Sequence, residues 1–381
     1  MGNHTYSRFY IFALYFIYLY MEKNKLTLII DANWLLISRA SVLMSNFNKN
    51  LSDLSKEQSQ AELEELLAKS INVILYRFPV IDNVIIISDG GSWRKQLPVP
   101  ESISGTIYKG NRIQAEEIDW TYIFGALSNI TAKASDLGLT VSHALNVEGD
   151  DWAWYWSRRL NHNGINCMIW TSDNDLKQLI QVNNSTSAFT VWYNDKNGLW
   201  MPDSVKASDN EVDFFMQFEY FSPTLDALKN KVTSDKHFYI NPNSIINSKI
   251  ICGDAGDNIL PIFRYKKGSR NFRITEKDWG LIREDLNIND IIDLIKEQNK
   301  IASNIANHKK FQQYKPIISD IETMIGYNIK LVWLHESTIP DTIIQTMNQQ
   351  EYLIYNVPYL RSNFKVLLKE NDDIQNLFES I

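Results

Sequence analysis

The chain has very few cysteines, and this scarcity excludes two kinds of organisation. Only Cys167 and Cys252 occur in 381 residues, far apart and without a Cys-x-x-Cys spacing. A disulfide framework and a cysteine-based zinc site are therefore excluded as organising features. The six histidines show no His-x-x-x-His or His-Glu-x-x-His spacing either. A reduced, intracellular protein is the default expectation.

The chain also lacks an excess of basic residues. Its formal net charge is −7, which taken alone argues against a nucleic-acid partner. The composition is otherwise that of a globular protein, with 44% hydrophobic residues, 15 glycines and 10 prolines, so disorder and coiled coil are not indicated. The length allows two or three domains. The acids are not evenly spread, and their positions carry more information than their sum.

One apolar run lies near the N-terminus, from Phe9 to Met21. It is shorter than the roughly 20 apolar residues that cross a bilayer. No small-x-small cleavage site follows it, and its basic flank is only Arg8. Met21 opens a sequence typical of a cytosolic start. We expect residues 1–21 to be a non-native or dispensable leader, with a signal peptide or a membrane anchor as alternatives, and no stable membrane association.

Three short β-branched runs alternate with helical patterns. Unalternating runs of this kind are typical of buried parallel strands, and their alternation with helices predicts an α/β fold with a central, mostly parallel sheet flanked by helices. The strand runs are 26–30, 84–88 and 167–171, and the helical patterns are 57–77, 115–137 and 150–161. Each strand run ends at or near an aspartate. Ligands of such folds bind at the carboxyl ends of the strands.

The rest of the chain gives weaker signals. Residues 189–200 predict a β-hairpin that turns at Asn197-Gly198. From residue 286 onward the pattern is helical, with a strand signal only around 329–334. The sequence therefore predicts a helical C-terminal region.

Acidic residues recur at the predicted strand ends and at one helix start. Asp150 and Asp151 open a predicted helix, where carboxylates are favoured, and Asp173 and Asp175 follow a strand. The full set is Asp31, Asp89, Glu148, Asp150, Asp151, Asp173, Asp175, Asp254 and Asp257. Any one of them is more often a cap or a solvated loop residue. Together they predict an oxygen-rich site for Mg²⁺ or Mn²⁺, large enough for two ions that stabilise a phosphoryl displacement.

Three motifs give these acids a family resemblance. They are Tyr108-Lys109-Gly110-Asn111-Arg112, Glu148-Gly149-Asp150-Asp151 and Gly253-Asp254-Ala255-Gly256-Asp257-Asn258-Ile259. Their order and spacing resemble the 5′-nuclease superfamily, which includes flap endonucleases and phage 5′-exonucleases. Within it, Leu331–Leu334 followed by Ile339-Pro340-Asp341 resembles the C-terminal helical region of the T-even phage ribonuclease H.

The resemblance implies a role for each acid. Asp31, Asp89, Glu148 and Asp150 would hold a first metal ion, with Asp151 beside them. A second metal site would be formed by Asp173, Asp175, Asp254 and Asp257. The implied cofactors are two Mg²⁺ ions, for which Mn²⁺ can substitute.

Basic and aromatic residues near the motifs are candidates for substrate contact. The catalytic candidates beside Asp31 and Asp89 are Arg94, Lys95, Lys109 and Arg112, which follow Asp89 or begin the arch of the relatives. They could also hold DNA, and Trp93 could stack an unpaired base. Each has an ordinary alternative, because tryptophan is more often a core residue and a basic loop residue is usually only solvated.

The sequence departs from the family after Asn258. The relatives carry a helix–hairpin–helix with a Gly-x-Gly pattern there, whereas this chain offers only Gly268 within a basic insertion. Binding of a duplex through backbone amides and a potassium ion is therefore in doubt. The insertion could grip phosphates by charge instead, through Arg264, Lys266, Lys267, Arg270 and Arg273.

The predicted domain order follows from these motifs. A metal-dependent nuclease domain would span 22–258 with an arch at about 94–118, and a degenerate helix–hairpin–helix with a helical domain would span 259–381. The implied activity is Mg²⁺-dependent 5′→3′ hydrolysis of phosphodiesters at 5′ ends and flaps of DNA and in RNA–DNA hybrids. It would serve RNA-primer removal in phage lagging-strand replication, in the cytoplasm of the infected bacterium.

The expected partners are a nucleic acid with a 5′ end or flap, and by resemblance a sliding clamp and a single-strand DNA-binding protein, with the enzyme itself a monomer. The alternatives are a PIN-type ribonuclease, a non-catalytic DNA-junction binder and a membrane-anchored nuclease.

Assigning nine acids to the metal site leaves the remaining charge near neutral. DNA binding should then depend on local basic loops and on the metal rather than on overall charge.

Overall fold

A central sheet organises the N-terminal two thirds of the chain. The computed structural model describes residues 26–46, 56–78, 80–112, 120–205, 237–267, 269–312, 315–316 and 320–350. The predicted leader, 1–21, and residues 113–118 of the predicted arch lie outside these ranges.

The sheet has eight strands, most of them parallel. They are β1 (Leu26–Asp31), β2 (Ile81–Ile87), β3 (Thr140–Ser142), β4 (Asn166–Trp170), β5 (Gln181–Val182), β6 (Phe189–Asn194), β7 (Gly198–Pro202) and β8 (His237–Ile240). The main order is β3-β2-β1-β4-β6-β7-β8, with β5 pairing β6. Parallel pairing runs from β3 to β6, and β6 and β7 form the predicted antiparallel hairpin.

Helices cover both faces of the sheet, as the α/β prediction requires. They are α1 (Ala32–Asn46), α2 (Lys56–Arg77), α3 (Trp120–Asp136) and α4 (Gly149–His162). The first three pack with alternate residues of β1 and β2 in one core, and α4 packs its tryptophans in a second core on the other face. The predicted α/β fold class is confirmed. The chain turns from one side of β1 to the other between β2 and β4, which creates a cleft at the carboxyl end of β1.

The C-terminal region is mainly helical. Its elements are α5 (Pro242–Cys252), β9 (Arg264–Lys267), β10 (Arg270–Arg273), α6 (Glu276–Asp285), α7 (Ile291–Lys296), α8 (Gln298–Asn307), α9 (Lys309–Gln312), β11 (Lys315–Pro316), α10 (Ile321–Val332) and α11 (Asp341–Asn348). The strand signal around 329–334 is wrong, because those residues are largely within α10. A short apolar run cannot by itself distinguish a strand from a buried helix.

The packing does not divide where the motifs suggested. A third core contains α5 through α10, and it also takes in Ile103 and Tyr108 from the region between β2 and α3. In return, Ile343 and Met347 of α11 pack with α4 against the sheet. The two regions are therefore interlocked across the predicted boundary at 258/259. No helix among the described residues is long and apolar enough to cross a membrane.

The basic insertion after Asn258 forms a β-hairpin. Strands β9 and β10 pair antiparallel, and β11 pairs with β9 to complete a small three-stranded sheet. The segment predicted as a degenerate helix–hairpin–helix begins at residue 259 and contains a loop, this hairpin and α6. Helix α5 lies before that boundary.

Candidate metal and nucleic-acid site

The cleft at the carboxyl end of β1 holds the first pair of acids. Thr171, directly after β4, donates its hydroxyl to Oδ2 of Asp31 over 2.8 Å and accepts the backbone N–H of Asp173 over 3.0 Å. The N–H of Trp34 binds the other oxygen of Asp31. Burial, together with the nearby carboxylates of Asp89 and Asp173, raises the pKa of Asp31 to about 6. Strand pairing thus brings together residues 140 positions apart.

Asp89 lies against the N-terminus of α4. Its Oδ1 accepts the backbone N–H of Gly149 over 2.6 Å, and a β-carbon at Gly149 would lie 3.1 Å from that oxygen. Glycine at this position therefore lets the carboxylate approach the positive end of the helix dipole. The following Gly90 is still more constrained, because a β-carbon there would lie 1.8 Å from the carbonyl oxygen of Ala144. Burial raises the pKa of Asp89.

Asp150 completes the first carboxylate group. Burial raises its pKa well above the ordinary value, and the carboxylates of Asp173, Glu148 and Asp89 push it in the same direction. Glu148 differs, because its pKa is lowered. Burial opposes that direction, but ion pairs with Arg94 and Lys109 outweigh burial.

The second carboxylate group is formed by Asp175, Asp254 and Asp257. One carboxylate oxygen from each lies within 4.8 Å of the others. Burial and the neighbouring Asp173 raise the pKa of Asp175 to about 6. Lys249 of α5 donates to both Asp175 and Asp254. An ammonium group thus already lies among oxygens that would suit a cation.

The two groups are electrostatically continuous through Asp173. That carboxylate raises the pKa of Asp150 in the first group and of Asp175 in the second. Buried carboxylates that raise one another's pKa are destabilised in the charged form, and a divalent cation relieves this repulsion. The donors are all carboxylate oxygens, which Mg²⁺ and Mn²⁺ prefer. The residues present therefore fit divalent metal ions.

Two cations from one segment face these groups. Lys109 Nζ binds Oε1 of Glu148 over 2.6 Å, and Arg112 Nη2 binds Oδ1 of Asp257 over 2.5 Å. Lys109 is largely buried, whereas the side chain of Arg112 is 59% exposed. The structure thus brings both predicted residues to the predicted acids.

Trp93 and Arg94, predicted to contact substrate, lie in the core beside the first carboxylate group. Both are buried, and Arg94 places Nη1 2.6 Å from Glu148 Oε2 and Nη2 2.8 Å from Asp151 Oδ1. The Trp93 indole N–H donates to Oδ2 of Asp151 over 3.0 Å. Base stacking by Trp93 and DNA contact by Arg94 stay predictions, and the burial and contacts of both side chains favour a structural role. Lys95, the next residue, is exposed.

Asp151, which the resemblance places beside the first metal ion, lies in the core at the start of α4. It is fully buried, and besides Arg94 and Trp93 it accepts the backbone N–H of Glu148. Its oxygens are used to hold the start of α4 rather than to face the cleft. Two adjacent acids at a helix start point in different directions, and Asp150 alone faces the other carboxylates.

Reasoning from the sequence missed two residues of the site, Lys249 and Thr171. Lys249 is an isolated basic residue on α5, five positions before Asp254, and Thr171 is a single hydroxyl after a strand. The only signal for Lys249 in the sequence was its short distance from the motif that contains Asp254. Their roles depend on contacts 74 and 140 residues away in the chain.

Comparison with known proteins places the fold. No protein-family model and no curated protein sequence matches the chain. Among solved structures, the T5 D15 protein co-crystallised with metal ions superposes with a TM-score of 0.50 at 15% identity, over 90% of this chain and 100% of that chain. The chain has the 5′-nuclease fold. This confirms the fold that the motif resemblance implied.

Two further structures with the 5′-nuclease fold are similar. The T5 5′-exonuclease with bound zinc ions has a TM-score of 0.49 at 14% identity, over 90% of this chain and 100% of that chain. The bacteriophage T5 D15 flap endonuclease, in a pseudo-enzyme–product complex with DNA and metal ions, has a TM-score of 0.48 at 15% identity, over 91% of this chain and 100% of that chain.

The carboxylate groups predict an unusual dependence of stability on pH and metal. Asp31 and Asp175 have an ordinary pKa of 3.8 and a pKa of about 6 when folded. Between these two pKa values the folded chain binds more protons than the unfolded chain. The contribution of Asp31 and Asp175 to stability is therefore lost as pH rises through about 6. In EDTA, we expect thermal unfolding at a higher temperature at pH 5.5 than at pH 7.5.

Added Mg²⁺ or Mn²⁺ should raise the unfolding temperature more at pH 7.5 than at pH 5.5, because binding to the folded state stabilises it and protons compete. Glu148 and Asp254 have lowered pKa values, so their contribution to stability is lost only as the pH falls below that range. Differential scanning fluorimetry measures both effects, with Ca²⁺-free buffer and Na⁺ as the ionic-strength control. An unfolding temperature unaffected by either metal at pH 7.5 would contradict the metal assignment.

Proposed function

We propose that this protein is a divalent-metal-dependent nuclease that hydrolyses phosphodiester bonds at 5′ ends and flaps. The observation that carries the proposal is the pair of adjoining carboxylate groups at the switch point of a parallel sheet, each contacted by a cation from the segment 107–112. Carboxylates that attract metal ions and cations that attract phosphate thus occupy one cleft.

The metal ligands would be the carboxylates of the two groups in the cleft, as the resemblance implies. Asp31, Asp89, Glu148 and Asp150 would hold one ion, and a second would be held by Asp173, Asp175, Asp254 and Asp257. Bound divalent ions supply Lewis-acid stabilisation of the attacking and leaving oxygens in a phosphoryl displacement. Lys249 would have to leave Asp175 and Asp254 or share them, because its ammonium group lies between them.

Lys109 and Arg112 would bind the scissile phosphate. In the free protein they neutralise Glu148 and Asp257, and a phosphate that enters beside the carboxylates would take over these donors. A guanidinium and an ammonium in a partly buried cleft stabilise the negative charge of a phosphoryl transition state more than they would in water. Bulk water screens the largely buried Lys109 less than it would screen an exposed cation.

The β-hairpin of β9 and β10 is proposed to hold the duplex next to the cleavage site. Its register places Arg264 opposite Arg273. Like charges directly across a strand pair repel, so this arrangement lowers the stability of the hairpin by itself. Lys266, Arg270 and Arg273 are exposed. A phosphate backbone would neutralise them, which makes binding dependent on salt.

The finer parts of the proposal concern the substrate and the biological context. We propose that the nuclease also cleaves RNA in RNA–DNA hybrids and removes primers from lagging-strand fragments, as the resemblance to the T-even phage ribonuclease H suggests. A sliding clamp and a single-strand DNA-binding protein are the proposed partners. The neighbour with bound metal ions supports the metal dependence, because its fold covers 90% of this chain.

Cleavage of defined substrates tests the function. The purified chain is mixed with a 5′-flap DNA, a 5′-labelled RNA–DNA hybrid, a flapless nicked duplex and a single-stranded RNA, each with Mg²⁺, Mn²⁺ or EDTA. We expect metal-dependent cleavage of the flap and the hybrid, with products that carry a 5′-phosphate and a 3′-hydroxyl. Gel mobility against enzymatically defined markers identifies the product ends.

The alternatives predict different results. Cleavage of the single-stranded RNA alone would indicate a PIN-type ribonuclease. Metal-independent binding of the flap without cleavage would indicate a junction-binding protein. Either result, or no metal-dependent cleavage of the flap and the hybrid, would contradict the proposal.

A further inference from the structure

The segment that carries Lys109 and Arg112 is fastened to the acidic loop by two asparagines. Asn111 Nδ2 donates to the carbonyl oxygen of Ala255 over 2.7 Å. In the opposite direction, Asn258 Nδ2 donates to the carbonyl oxygen of Ile107 over 2.9 Å. These bonds join parts of the chain about 150 residues apart and involve no carboxylate. We call this contact the latch; its residues are Ile107, Lys109, Asn111, Ala255, Asp257 and Asn258.

The latch holds an unfavourable backbone conformation at Lys109. Lys109 has φ 55° and Asn258 has φ 56°, and both lie in the left-handed region. Asparagine tolerates this region, but lysine rarely adopts it unless surrounding contacts impose it. The N–H of Lys109 donates to the carbonyl oxygen of Asp257 over 2.8 Å. The backbone direction at Lys109 is therefore set by the acidic loop.

This backbone direction determines where the two cations lie. From the latch, the Lys109 side chain reaches Glu148 in the first carboxylate group, and Arg112 reaches Asp257 in the second. The neighbouring Tyr108 is buried in the C-terminal core and its hydroxyl lies 3.4 Å from Asp257 Oδ2. Tyr108 anchors one side of the segment, and Asn111 is exposed on the other.

We propose that Asn111 is a positioning residue for Lys109 and Arg112. Through its hydrogen bond to Ala255, Asn111 keeps Lys109 and Arg112 at the carboxylate groups. Both cations are then already positioned for a phosphate before it binds. Preorganised charges act on the transition state, and their misplacement lowers the rate of the chemical step more than substrate affinity. This inference rests on the proposed nuclease function.

The test compares Asn111→Ala with a matched control. Asn129 is also an exposed asparagine, and its Nδ2 donates over 2.6 Å to Glu64 on a different helix. Asn129→Ala therefore removes an equivalent bond away from the cleft. Amide hydrogen exchange of the free protein, in EDTA, reports on the latch without substrate or metal. We expect the Lys109 amide to exchange about tenfold faster in Asn111→Ala and unchanged in Asn129→Ala.

Single-turnover and steady-state cleavage of the 5′-flap DNA provide the second readout. We expect kcat to fall about tenfold in Asn111→Ala, with KM within about twofold of the wild type. Asn111→Gln, which keeps the amide donor, should recover part of kcat, and Asn129→Ala should match the wild type. Thermal unfolding measures whether the variants remain folded.

The outcomes separate the latch from the proposed function. Wild-type chain that cleaves no substrate would overturn the nuclease proposal, while hydrogen exchange would still decide whether Asn111 holds Lys109. Unchanged exchange at Lys109 in Asn111→Ala would overturn the latch. A lower unfolding temperature with unchanged kcat would show that Asn111 only stabilises the fold, and would also overturn the positioning role.

Discussion

Asp150→Asn should abolish metal-dependent cleavage and at the same time make the metal-free protein more stable. The carboxylate of Asp150 is half-buried near Asp89, Glu148 and Asp173, and its pKa is raised well above the ordinary value. Asparagine keeps the shape but removes a charge that the fold holds at a cost. We expect kcat/KM to fall on the order of 10²–10⁴-fold, because a metal ligand contributes several kcal/mol to the transition state.

A loss of cleavage combined with a gain in metal-free stability distinguishes a metal ligand from a structural residue. At pH 7.5 in EDTA, Asp150→Asn should unfold at a higher temperature than the wild type, and the increase caused by Mg²⁺ should shrink. Asp136→Asn is the control, because Asp136 is exposed at the end of α3, near the amino end of β3. Asp136→Asn should change neither cleavage nor the effect of Mg²⁺. A less stable Asp150→Asn protein with full activity would refute the assignment.

Arg94→Met should cause the largest loss of stability. Arg94 has a side chain only 1% exposed and forms ion pairs with Glu148 and Asp151. Its removal leaves two buried carboxylates without their main partner. Breaking a buried ion pair from one side typically costs about 3–5 kcal/mol. Urea unfolding in EDTA, monitored by tryptophan fluorescence, measures the change in the free energy of unfolding.

Two further variants serve as comparisons for Arg94→Met. Arg94→Lys keeps the charge but not the forked donors that reach two carboxylates, so we expect an intermediate loss. Arg283→Met removes an exposed arginine of α6 and should change stability by less than about 0.5 kcal/mol. If Arg94→Met were as stable as Arg283→Met, the buried pairs would contribute nothing, and a structural role of Arg94 would lose its support.

Local patterns predicted the elements of the sheet and its helices well. The helix predicted over 57–77 is α2 (Lys56–Arg77), and the strand run 26–30 is β1 (Leu26–Asp31). The helix shows a helical period in neighbouring residues, and the strand is a short β-branched apolar run between helical patterns. The strand signal around 329–334 failed because a continuous apolar run does not distinguish a strand from a buried helix.

The assignment of single side chains was less predictable. Of two adjacent acids, Asp150 faces the other carboxylates whereas Asp151 binds Arg94 and Trp93. Both acids fit a helix start equally well, so sequence position could not separate them. The burial of Trp93 and Arg94 depends on a partner more than 50 residues away.

The sequence by itself determined that acids follow the strands of a parallel sheet, and hence that a cation site lies at its carboxyl edge. That inference needs only the short apolar strand runs and the rule that the carboxyl ends of parallel strands lie at one edge of the sheet. Tertiary structure alone decided which acids face one another, that Lys249 lies between two of them, and that the latch directs Lys109 and Arg112 to separate groups. The physical reason is that desolvation and ion pairing depend on distances between side chains, which local sequence does not contain.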